Sequence, residues 1–145
     1  MNSIEKLKAY QDAQKIVNEV ENELGKMVDA FFADCRGTWY YKDLEYDGLI
    51  TEGSIPKIIN LCVEEVIMGE GKYYTFPVPS SIIRKFLDGD KEEATKEFQK
   101  WHKEYWEQKK REKEEEERRE KEALEKAREE DEYKQYLQLK EKFEK

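Results

Sequence analysis

His102 is the only histidine among 145 residues, and histidine is the side chain best suited to acid–base work or metal ligation near neutral pH. In helical register its neighbours are Phe98, Gln99 and Trp106, so no set of His, Cys, Asp and Glu with metal-ligand spacing can be built around it. It reads as a packed or half-exposed structural residue. Cys35 and Cys62 are the only cysteines. A thiol becomes a nucleophile beside a base or cation, and Cys35 has only Arg36 at hand. Cys62 lies in an apolar stretch and reads as a small hydrophobe. Acidic side chains are plentiful, 35 in all, but paired acids do acid–base chemistry only where a cleft separates their pKa values. The chain is therefore read as non-enzymatic, with no catalytic residue, metal or cofactor.

What remains is the chemistry of recognition. The stretch 38–50, TWYYKDLEYDGLI, concentrates Trp39, Tyr40, Tyr41 and Tyr46, residues that supply large contact area with few torsions to freeze. They form either a binding face or a lid over a small core. Near the other end, Tyr133, Tyr136, Leu137 and Phe143 bring apolar side chains back after a long polar run, the arrangement of a partner-seeking tip.

Charge narrows the classes of partner. Residues 1–89 carry 10 Lys and Arg against 15 Asp and Glu, and residues 90–145 carry 17 against 20. Neither part offers the basic surface that phosphate binding requires, so direct nucleic-acid binding is disfavoured. The charged fraction of 43% and mean hydropathy of -1.09 taken alone suggest disorder, but 18 aromatic residues argue for a packed core. No apolar run approaches the roughly 20 residues of a membrane span. The start MNSIEKLK has no apolar core of a signal peptide, and two cysteines make no disulfide framework. The expected location is cytoplasmic.

These side chains need elements to position them. Asn2 to Cys35 reads as a first helix, with Asn2 and Glu5 as its cap and Arg36-Gly37 as its stop. Tyr10, Val17, Val20, Leu24, Met27 and Phe31, with Ala13, keep heptad spacing along it. That stripe packs on the chain's own domain or forms the seam of a homodimer. Asp47-Gly48 favours a tight turn, so a short aromatic hairpin is expected near 38–51. Ser54 to Met68 reads as a second helix, with Pro56 in its first turn and a broad face of Ile55, Ile58, Ile59, Cys62, Val63, Val66 and Ile67. Residues 72–78 read as extended and 82–87 as a short helix. From Asp90 to Lys145 there is no Gly or Pro, which predicts one helix about 80 Å long. Its start packs through Ala94, Phe98, Trp101 and Tyr105. Residues 107–122 contain no apolar side chain and read as a solvated helix laced by eight favourable i, i+4 ion pairs.

The segments SIPKIINLCVEEVIMGEG and VPSSIIRKFLDGD combine a Ser-Ile helix start, a cysteine in that helix, a Glu-Val toward its end and a second short helix before an acidic turn. In this they resemble the PcfK-like proteins of plasmids and phages, a family that includes inhibitors of CRISPR nucleases. The resemblance covers residues 54–90 and implies a protein of a mobile element that acts on a host machine.

Together these readings give a mainly α fold with a small β-hairpin. A small helical domain would span 1–106 and a charged single helix with an amphipathic tip 107–145. The expected function is that of a protein–protein interaction protein, in its most concrete form an inhibitor of a CRISPR effector. A homo-oligomeric spacer or assembly scaffold is the alternative. The partner-binding residues would be Trp39, Tyr40, Tyr41, Tyr46, Tyr133, Tyr136, Leu137 and Phe143.

Overall fold

In the computed structural model, which describes residues 1–144, three helices and three strands follow in the order α1 (Ser3–Phe31), β1 (Thr38–Glu45), β2 (Ile58–Ile67), β3 (Glu70–Pro79), α2 (Ser80–Leu87) and α3 (Lys91–Phe143). The strands form one antiparallel sheet in the order β1-β2-β3. The expected mainly α fold is thereby corrected to a mixed one, an antiparallel sheet with helices. The chain divides into two compact units, Met1–Trp101 and His102–Lys145.

The correction turns on residues 54–68, expected as a helix and found instead to hold the central strand. Five of the ten residues of β2 are Ile or Val, whose branched Cβ suits a pleated surface better than a helix. Ile59, Leu61 and Val63 alternate with Asn60, Cys62 and Glu64, and burial follows that alternation. Spacings of three and four among Ile55, Ile58, Ile59, Cys62, Val63, Val66 and Ile67 fit a helix equally well, and two strand partners decided the matter. The expected hairpin within 38–51 is also absent. Strand β1 pairs with β2 instead, Thr38 opposite Val66 and Glu45 opposite Asn60, with a register shift between Tyr41 and Asp43. The tight hairpin lies between Ile67 and Glu70, where Met68 (φ 52°) and Gly69 (φ 81°) take the two left-handed positions of a primed turn.

Other elements follow the local sequence closely. The Asn2 side chain accepts from the Glu5 backbone N–H at 2.9 Å, the expected cap of α1. Helix α2 stops in a Schellman arrangement: the Gly89 N–H donates to the Phe86 carbonyl at 3.1 Å and the Asp90 N–H to the Lys85 carbonyl at 3.0 Å. Gly89 takes the left-handed φ of 105° that this motif needs. Helix α3 then begins one residue later, with Thr95 Oγ1 donating to the Lys91 carbonyl at 2.7 Å.

The core of the first unit lies between one face of the sheet and the helices. The end of α1 contributes Leu24, Met27, Val28 and Phe31, with Phe32 at its cap; β2 and β3 contribute Ile59, Leu61, Val63, Phe76 and Val78. Helix α2 adds Ile82, Ile83 and Phe86, and the first turns of α3 add Ala94 and Phe98. Aromatic rings join these elements: Phe31 stacks on Phe98 with centroids 4.3 Å apart and meets Phe86 edge-on at 5.7 Å, geometries that add to the stabilisation from burial. Lys85 of α2 pairs with Glu97 of α3. In the second unit, of the eight ion pairs expected across 107–122, Glu115 and Arg119 meet at 2.8 Å, while Lys109–Glu112 and Glu115–Arg118 close at i, i+3 spacing.

Candidate interaction surfaces

Because strand side chains alternate between faces, the aromatic cluster of β1 is divided. Trp39 points into the core: it is 7% exposed, its ring stacks on Phe32 at 4.4 Å, and its indole N–H donates to the Arg36 carbonyl at 3.0 Å. It is a core residue, with both its apolar and its polar parts satisfied inside the chain. Tyr41 lies two residues on and is half-buried. Burial, with the carboxylates of Asp43 and Glu21 beside it, pushes its hydroxyl up to about 12. Tyr40 faces the other way and is 50% exposed. Tyr46 lies beyond the strand and is exposed. The four residues, expected as a binding face or as a lid over the core, are thus a core Trp, a half-buried Tyr and two exposed tyrosines.

The sheet register assembles a different group around Tyr40. Tyr40, Glu64 and Tyr73 stand in one row across all three strands, and Asp43, Cys62 and Thr75 in the next. Tyr73 is 70% exposed. The Glu64 carboxylate beside it raises that phenol above its ordinary value. Cys62 lies 3.7 Å from Thr75 Oγ1, and burial pushes its thiol up. Burial likewise raises Cys35, with Asp34 and Glu65 adding to it. Neither thiol is activated as a nucleophile. The outward face therefore presents two tyrosines flanking a carboxylate, beside Asp43, a surface suited to hydrogen-bonding and stacking contacts. A helix over 54–68 hides Glu64, and with it the cross-strand pairing that brings Tyr73 of the extended 72–78 beside Tyr40. The alternation in INLCVEE was the signal for them.

His102 sits near the start of the second unit. The Trp106 indole N–H donates to His102 Nε2 at 2.8 Å, which requires that nitrogen to be unprotonated, and burial lowers the histidine's pKa. Among the described residues, no group of three or more His, Cys, Asp or Glu side chains is placed to hold a metal ion, and no helix is long and apolar enough to cross a membrane.

The expected tip residues are all in α3. Tyr133, Tyr136, Leu137 and Phe143 are 61%, 59%, 43% and 81% exposed. Steps of three, one and six residues keep these four within one third of the helix circumference. Every described residue from Trp106 onward is exposed, so the second unit has no core of its own to receive them.

No protein-family model, no curated protein and no solved structure matches this chain.

Proposed function

We propose that this chain is a non-enzymatic protein–protein interaction protein that engages a protein target through the last turns of α3, with the Tyr40–Glu64–Tyr73 face of the sheet as a second contact. The observation that carries this reading is the exposed stripe of Tyr133, Tyr136, Leu137 and Phe143 on an otherwise strongly charged helix. Apolar aromatics at helical spacing are what a groove on a partner recognises. The net charge of -8 argues for a protein target rather than nucleic acid. Inhibition of a host machine such as a CRISPR effector is the most specific form of the proposal. It rests on the PcfK-like resemblance of residues 54–90, in which residues 58–67 form a strand where the resemblance has a helix.

The test is capture with the full chain and with Tyr136→Ser/Leu137→Ser. Both residues are exposed, so the double variant should keep its circular dichroism spectrum and melting temperature. Affinity for a captured protein should fall at least about tenfold, or about 1.4 kcal/mol. Unchanged capture by the double variant would remove the α3 stripe from recognition. For the specific form, a CRISPR nuclease assay should show cleavage blocked by the native chain and restored with the variant.

A further inference from the structure

We propose that the outward face of the sheet holds a subsite for one arginine side chain of the protein target, its guanidinium lying between the rings of Tyr40 and Tyr73 with its charge on Glu64. The subsite belongs to the second contact named above and rests on that reading.

Strand register sets its width. Tyr40 is paired with Glu64, and Glu64 with Tyr73, and directly paired residues project from the same face. Adjacent strands lie about 4.8 Å apart, so the two tyrosines are rooted about 9.6 Å apart with the carboxylate between them. A cation midway is about 5 Å from each, inside the roughly 6 Å over which a ring face attracts one. Both tyrosines are open to a ligand, at 50% and 70% exposed, and Glu64 is half-buried between them.

Gly71 makes room for the carboxylate. It stands two residues before Tyr73 on the same face, opposite Val66. Its φ is not one of the left-handed ones, so the backbone does not call for glycine there. A Cβ at this position would lie 3.2 Å from both Cδ and Oε2 of Glu64. A side chain here would press the carboxylate out of its place.

Charge decides the ligand. Asp43 stands in the row next to Glu64 and Glu45 in the one beyond, and no Lys or Arg is paired in any of these rows. Lys72, adjacent to Tyr73, belongs to the opposite face, with Nζ 5.0 Å from the Tyr74 ring centroid. Among the described residues none of Asp43, Glu45 and Glu64 has an ion-pair partner, Lys42 at the register shift included. The face thus offers uncompensated negative charge between two rings. A planar guanidinium stacks on a ring and meets a carboxylate with two N–H groups at once, which a compact ammonium does not. Arginine is favoured over lysine.

Backbone amide NMR of the full chain, titrated with a blocked Gly-Arg-Gly peptide, tests the subsite without any captured target, so it can fail while recognition through α3 stands. Saturable shifts should centre on Tyr40, Glu64 and Tyr73. The same peptide with citrulline, the neutral analogue of arginine, should bind at least about tenfold more weakly, and the lysine peptide at least about threefold. Glu64→Gln should weaken the arginine peptide at least about tenfold, whereas Glu19→Gln, which removes an equal charge from exposed α1, should leave it unchanged. Tyr40→Leu and Tyr73→Leu should each weaken it several-fold, and Tyr73→Phe, which keeps the ring, should stay within about twofold of the native chain. Citrulline binding as tightly as arginine, a Glu64→Gln variant or a pair of Leu variants without effect, or shifts spread over the acidic surface overturns the subsite. A lysine peptide as tight as the arginine one overturns the assignment to a guanidinium.

Discussion

Strand geometry turns neighbouring side chains to opposite faces, and so Trp39 and Tyr40, one residue apart, carry different consequences for the molecule. Trp39→Ala removes a buried ring that stacks on Phe32 and should cost about 3–5 kcal/mol; Tyr40→Ala alters an exposed position and should stay within about 0.5 kcal/mol. Denaturant melts of the two variants check this, and comparable losses would place both tyrosine and tryptophan in the core. His102 offers a second residue-level expectation. Burial and the Trp106 N–H favour its neutral form, so its folded pKa lies below the ordinary 6.5. As pH falls through that ordinary value, the unfolded chain takes up a proton that the folded one resists, and stability declines until the folded pKa is passed. An NMR titration of the imidazole should give a midpoint below 6.5, and Trp106→Phe should move it upward. A native midpoint at or above the ordinary value would mean that the imidazole is solvated.

Elements with strong local signals were legible: the Asn2 cap and stripe of α1, the extended 72–78, the short helix before Asp88-Gly89, and the uninterrupted α3. Residues 58–67 were not, because Ile58, Cys62 and Val66 satisfy a helical period while Ile59, Leu61 and Val63 satisfy a strand period, and only pairing with β1 and β3 separates the two. The expected recognition cluster suffered from the same cause, since the partners of Tyr40 come from strands two and three. The turn after β2 was hidden for another reason. Met68 occupies a left-handed position at φ 52° that an L-residue adopts at a cost of about 1–2 kcal/mol, and nothing in a methionine announces it. Because Met68 is 95% exposed, its side chain contributes no packing to offset that strain. Met68→Asn, which builds the Asn-Gly pair such hairpins favour, should raise stability by about 0.5–1 kcal/mol. A denaturation midpoint that falls instead would show that Met68 is held by contacts the turn geometry does not reveal.

At the scale of the whole molecule, stability and recognition draw on different residues. The buried side chains belong to the unit Met1–Trp101, while every described residue after Tyr105 is exposed. Cooperative unfolding should therefore report the first unit alone, since cooperativity comes from a shared core. Truncation after Glu130 removes Tyr133, Tyr136, Leu137 and Phe143 without touching that core. The truncated chain should melt within about 2 °C of the native one, a difference below about 0.5 kcal/mol for a domain of this size. It should also lose affinity for a target at least about tenfold. Calorimetry, light scattering and titration of the truncated chain separate the roles. A truncation that lowers the melting temperature by several degrees or halves the mass would move the end of α3 from recognition to architecture.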